Sequence, residues 1–173
     1  MSGWESSGGA WLHRVALRTY RALPPLPRRW IVRTLAPSYT VGAIVVITDQ
    51  EGRVLLVRQS YRRNWGLPGG LLQRGEDPAA AVVREVMEEV GVRIKVGGRP
   101  IPIVEPRPQR IDLVFRAGDV EAGDDADGGQ RLARPCSPEI AEVAWFAPES
   151  LPALQAEAAT ALAASGFACT RSD

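Results

Sequence analysis

The stretch from Asp77 to Gly91 constrains this chain more than any other. Asp77 is a residue type that caps helix N-termini, Pro78 suits the first turn, and Gly91 suits the left-handed residue that closes a helix. Between these ends Val82, Val83, Val86 and Val90 recur at helical spacing, with Ala79 and Met87 beside them. That face packs on a sheet. Glu85, Glu88 and Glu89 stand at i, i+3 and i+4 and share an arc of about 100° on the other side, which keeps them out of the core. Like charges at this spacing repel by a few tenths of a kcal/mol (~0.2–0.5) per pair when solvated. In a cleft the repulsion grows, and a divalent cation is the natural remedy. Three glutamates taken alone are more simply read as a solvated acidic face.

The approach to the helix favours the cation. Trp65-Gly66-Leu67-Pro68-Gly69-Gly70 must form a tight loop, and Gly69-Gly70 permits close approach of a phosphate or leaves a carbonyl exposed for a metal. Glu76 adds a carboxylate beside the cluster. Arg84 adds a guanidinium that can pair with a carboxylate and hold its orientation. Oxygen-only ligands suit magnesium or manganese, not zinc.

Around this centre the chain reads as alternating strands and helices. Tyr39–Thr48 and Arg53–Gln59 are nearly continuous apolar runs, predicting strands buried on both faces, and Asp49-Gln50-Glu51-Gly52 between them predicts a hairpin. Further strands are expected over Val92–Val96, Ile101–Val104, Gln109–Ala117 and Glu139–Ala147. In Gln109–Ala117, Ile111, Leu113 and Phe115 alternate with Arg110, Asp112, Val114 and Arg116, predicting one buried and one polar face. Gly118–Pro135 is rich in aspartate and glycine but lacks calcium-loop spacing, and reads as a solvated loop. Leu151–Ser165 predicts a helix capped by Ser150. Residues 1–10 read as disordered, and 11–36 as two short helices broken by Pro24-Pro25-Leu26-Pro27. The expected division is a basic helical extension over 1–38, a catalytic domain over 39–167 and a tail over 168–173.

The segment Gly70–Val92 matches a known signature throughout: Gly70, five residues, Glu76, seven residues, Arg84-Glu85, an aliphatic, any residue, Glu88-Glu89, any residue, Gly91, an aliphatic. This resembles the Nudix hydrolase family, and the likeness extends over about Tyr39–Ser165, excluding the first 38 residues. The resemblance implies an α/β Nudix fold, an α/β/α sandwich with a mixed sheet. It implies Glu85, Glu88 and Glu89 as metal ligands, with the Gly69 carbonyl as another. Glu76 and Arg84 would support the loop and orient the carboxylates. Glu139 resembles the extra glutamate that many members bring from outside the helix, to bind metal or act as base; a surface acid at a strand start is an equal reading. The implied activity is magnesium- or manganese-dependent hydrolysis of a diphosphate linkage in a nucleoside diphosphate-X substrate, with water attacking phosphorus.

The attached group is read by surfaces with no shared motif. Trp65 could stack on a base, although packing is the commoner role of such an aromatic. Arg62, Arg63 and Arg74 lie near the loop and could grip phosphate. Lys95 is the one lysine among 21 basic residues, so arginine is the default cation of this chain and single arginines carry little weight.

A formal net charge of +1 gives no bulk case for nucleic acid or membrane as the main partner. Before residue 40 there are six arginines and one acid, Glu5, on an amphipathic pattern over Trp11–Leu23. That segment either docks on the domain or a second subunit, making a homodimer plausible, or lies on anionic lipid; docking is favoured. Cys136, Cys169 and His13 make no zinc pattern, and no apolar run approaches the ~20 residues that span a bilayer, so a cytoplasmic location is expected. Two other readings stay open: a non-catalytic nucleotide-binding regulatory module on the same fold, and an isomerase-like relative. Loss of a helix glutamate is the usual mark of the former, and none is lost.

Overall fold

A computed structural model describes residues 14, 15, 18, 19, 21, 24, 25, 38–118, 120, 121 and 133–167. The chain divides into two units, Met1–Ser38 and Tyr39–Asp173. In the first, Arg14, Val15, Arg18, Thr19 and Arg21 are helical and Pro24 is not. The rest of the expected amphipathic segment, with residues 1–10, His13 and Cys169, lies outside the described residues.

The second unit runs β1 (Thr40–Ile47), β2 (Val54–Gln59), β3 (Gly69–Leu71), α1 (Pro78–Val90), β4 (Arg93–Ile94), β5 (Gly97–Glu105), β6 (Arg110–Ala117), β7 (Val120–Glu121), β8 (Ile140–Phe146) and α2 (Ala156–Ala164). A 3-10 turn, Pro148–Ser150, precedes α2. The main sheet is mixed, in the order β3-β1-β6-β5, with β1 parallel to β6 and antiparallel to β3. Strand alternation sends successive side chains of β1 to opposite faces. Ala43, Val45 and Ile47 meet Val82, Val86 and Val90 of α1, whereas Ile44 and Val46 meet Ala158, Ala161 and Leu162 of α2. The sheet therefore lies between helices as an α/β/α sandwich, and β1 is buried on both faces as its composition requires.

Four expectations are corrected. The Asp49–Gly52 turn forms, with Gly52 N–H donating to the Asp49 carbonyl and the Asp49 carboxylate accepting from the Glu51 and Arg53 amides. Yet the flanking strands share a single bridge, Thr48 to Val54, and then part. A strand has two edges, and those of β1 are taken by β3 and β6; β2 pairs with β8 in a separate two-stranded sheet. In β6 the supposed polar face is covered over its middle, with Val114 at 1% exposure in the α2-side core and Asp112 at 3%, paired with Arg110, and only Arg116 on that face is exposed. The 118–135 segment is not wholly loop, because its β7 pairs with β4, which is shorter than the expected Val92–Val96 strand. Finally, the last helix starts at Ala156 with Gln155 at its N-cap position, not at Ser150. Pro152 disfavours helix at Leu151. The 151–155 segment runs extended beside Trp65, whose N–H donates to the Ala153 carbonyl and whose carbonyl accepts from Gln155 N–H.

Helix α1 has the expected ends. The Asp77 carboxylate accepts from the Ala79 and Ala80 amides at 2.9 and 3.1 Å, and Gly91 adopts φ 72° with its N–H on the Met87 carbonyl. These caps and the valine face fix the rotation of the helix, and so where its carboxylates point.

Candidate active site

A cleft of about 530 Å³ opens between the carboxylate side of α1 and the C-terminal end of β2, within the size range of nucleotide-scale ligand sites. Glu85, Glu88, Glu89, Gly69 and Glu139 all line it. The helix cluster and the glutamate from outside the helix, 50 or more positions apart in sequence, are thus brought to one space.

The three helix glutamates are not equivalent. Glu88 is exposed and Glu85 half-buried, whereas Glu89 is 7% exposed, which corrects the expectation that no carboxylate of this set enters the core. Glu89 lies where the acidic arc meets the valine face. Its Oε2 accepts the Gly69 N–H at 3.0 Å. Burial pushes its carboxyl up to about 7; the Gly69 N–H opposes this, while the charges of Glu85, Glu139 and Glu88 reinforce it. The fold has concentrated more negative charge here than it compensates.

Arg84 organises the rest. Its Nε and Nη2 form a fork on both Glu76 oxygens at 2.8 and 3.0 Å, and its Nη1 donates to Glu85 at 2.9 Å and to Glu88 at 3.3 Å. Those bonds, Glu76 foremost, raise the arginine above its ordinary value, and the same guanidinium holds the Glu76 carboxyl below its own. Glu76 also accepts the Gln73 N–H at 2.9 Å, closing the loop that leads into α1. Glu76 thus ties the loop to α1, and Arg84 bridges Glu76 to Glu85 and Glu88.

The glycines are required by space. Gly69 sits at φ 137°, and a Cβ there would collide with the backbone of Ala43 and Ile44 on β1. A Cβ on Gly70 would lie 2.5 Å from the Glu85 carboxylate. Opposite, Glu139 is fixed through its backbone, its N–H donating to Ser137 Oγ at 3.1 Å and its carbonyl accepting from Ser60 N–H at 2.8 Å.

Among the described residues no three His, Cys, Asp or Glu side chains are gathered into a ready metal cage. The donor set is nonetheless all oxygen and strongly anionic, fitting a hard divalent cation whose coordination is completed by water and phosphate oxygens.

The remaining sequence candidates separate. Arg62 lines the cleft rim, its Nη1 donating to Gln155 Oε1 at 3.1 Å and lying 3.7 Å from Glu157. Arg74 is exposed and does not line the cleft. Trp65 does not line it either; its ring packs edge-on against Phe146 with centroids 4.9 Å apart. Gln59, Arg110 and Gln155 do line it, and sequence reasoning passed over them. A signal existed for Arg110, since an arginine two residues before an aspartate on one strand face is a potential pair.

A family model for the NUDIX domain matches residues 38–164. A MutT-like protein from Streptomyces ambofaciens is 31% identical over 124 residues, covering 72% of this chain and 74% of its own. A protein from Bacillus subtilis (strain 168), provisionally described as an 8-oxo-dGTP diphosphatase, is 32% identical over 114 residues, covering 66% and 70%. The crystal structure of the MutT NUDIX hydrolase from Burkholderia pseudomallei superposes with a TM-score of 0.59 at 25% identity, covering 73% of this chain and 98% of that one.

Proposed function

Because the chain belongs to the NUDIX family of hydrolases, we propose that it cleaves the diphosphate linkage of a nucleoside diphosphate-X compound, using magnesium or manganese held by Glu85, Glu88, Glu89 and the Gly69 carbonyl. The observation that carries this reading is the convergence of the α1 glutamates and Glu139 on one nucleotide-sized cleft, with the Glu89 carboxyl raised first by burial and then by the neighbouring carboxylates.

When bound, the cation supplies positive charge against the diphosphate oxygens and acidifies the attacking water. The chain's own groups do the rest. Arg84 keeps Glu85 and Glu88 turned toward the cleft, and the Gly69 N–H keeps Glu89 there. The loop braced by Glu76 lets the substrate backbone approach without a side chain in its path. A cleft carboxylate, Glu139 or one of the helix set, accepts the water proton as its oxygen attacks phosphorus. The bridging P–O bond breaks, and each product leaves with its own phosphate. The signature supports turnover over the regulatory-module reading, since every one of its carboxylates is present.

The test is release of monophosphate products from a panel of nucleoside triphosphates, oxidised dGTP, ADP-ribose, dinucleoside polyphosphates and CDP-alcohols. Turnover of at least one compound with Mg2+ or Mn2+, abolished by EDTA, is expected. Silence across the panel with either cation overturns the hydrolase reading in favour of a binding module.

A further inference from the structure

The cleft is lined by a second set of polar groups. Arg110, near the start of β6, donates through Nε to both oxygens of Asp112 at 2.9 and 2.8 Å. Asp112 is 3% exposed, so this aspartate is a buried anchor that holds the guanidinium Nε through both of its oxygens. The anchor needs room on β1. Gly42 stands opposite Asp112 in the parallel register, and a Cβ there would overlap Asp112 Oδ1. The same point lies 3.4 Å from Arg110 Nη2 and 3.4 Å from the Gly70 carbonyl, so the guanidinium ends beside the catalytic loop. The pair is made through Nε and does not use the Nη nitrogens.

Gln59 lines the same cleft from the end of β2, at the register shift in the β2–β8 pairing, and its buried Oε1 has no hydrogen-bond partner. An orphaned buried oxygen is destabilising and calls for a donor. Ionised phosphate has none to give. The charge balance agrees, since Asp112 and Glu157 match Arg110 and Arg62 and leave no positive excess to hold further phosphates.

Resting on the hydrolase reading above, we infer that Arg110, aimed by Asp112, together with Gln59 forms the subsite that reads the group joined to the diphosphate, and that this group is uncharged and hydroxyl-bearing, as in a sugar. Hydroxyls are donors and acceptors at once, so such a group offers Gln59 Oε1 the donor it lacks and an Arg110 Nη an acceptor. A further phosphate satisfies only the arginine.

The test compares kcat/KM on ADP-ribose with its two truncations, ADP β-methyl ester and ribose 5-diphosphate β-methyl ester, and with ATP. Wild type prefers ADP-ribose to ATP, and one truncation costs it roughly ten- to hundredfold, the value of a hydrogen bond to a charged donor. In Arg110→Gln, and in Gln59→Leu, that same truncation costs less than threefold, because the reader is gone. The double variant Arg110→Gln/Asp112→Asn removes the stranded buried carboxylate and repeats the result if Arg110→Gln alone folds poorly. Equal losses on all four substrates overturn the inference while leaving the hydrolase standing, as does a preference for ATP. A wild type inert toward all four also overturns the inference, and only silence across the wider nucleotide panel sinks the hydrolase reading on which it rests.

Discussion

Replacing Glu89 with glutamine perturbs the protein in a way that can be worked from the structure. Glu89 is buried, and its carboxyl rises from 4.5 to about 7 on folding. A carboxyl raised in this direction keeps its proton in the folded protein where the unfolded chain has released it. The native state then binds more protons between these two values, and stability falls as pH rises through the window. With those two pKa values, the cation-free protein loses roughly 2–3 kcal/mol between pH 5 and pH 8 from this group. For a chain of this size that is roughly 5–10 °C in Tm. Glutamine has nothing to ionise, and its amide oxygen can still accept the Gly69 N–H. The assay is urea or thermal unfolding of both proteins in EDTA at the two pH values. Glu89→Gln should gain about 2–3 kcal/mol on wild type at pH 8 relative to pH 5. A stability difference that is the same at both pH values, or a variant that loses ground at pH 8, refutes the reasoning.

The other predictions concern turnover and substrate affinity. Glu88→Gln and Glu89→Gln should each cut kcat by a factor of about 100 or more with circular dichroism unchanged, since each removes charge from the cation site; near-normal rates in both contradict the assignment. Gly70→Ala forces a methyl against Glu85, so kcat should fall roughly tenfold or more with intact folding. Arg84→Lys keeps the charge but loses the fork on Glu76 and should cost about tenfold or more in kcat, which a steady-state assay reads directly. Trp65→Phe preserves edge packing on Phe146 and should leave KM within about twofold, whereas a base-stacking role would raise it strongly.

What could be read from the sequence followed physical locality. The caps of α1, its valine face and its carboxylate arc all lie within 15 residues, and the fold reproduces them because helix geometry alone sets their relations. The double burial of β1 was equally legible from its unbroken apolar run. Long-range pairing was not. The Asp49–Gly52 turn carries every local mark of a hairpin, yet the partners of β1 are decided by β3 and β6, more than 20 residues away. The burial of Asp112 likewise depends on Gly42 leaving a space across the sheet, which no window around residue 112 reveals. Glu89 shows the limit within the helix itself, where the edge of an acidic arc is buried or solvated according to what packs beside it. Trp65 turned toward Phe146 for the same reason, because the 151–155 segment runs alongside it and Phe146 offers an apolar wall.

The claim beneath all of this is that the α1 carboxylates exist to gather divalent cations around a diphosphate. Mn2+ titration followed by electron paramagnetic resonance, with a non-cleavable methylene analogue of ADP present, measures that occupancy without requiring the true substrate. The account predicts loss of the free Mn2+ signal on adding wild-type protein, and at least tenfold weaker binding for Glu85→Gln/Glu88→Gln. A free-ion signal that wild type leaves untouched, or that both proteins diminish equally, contradicts it.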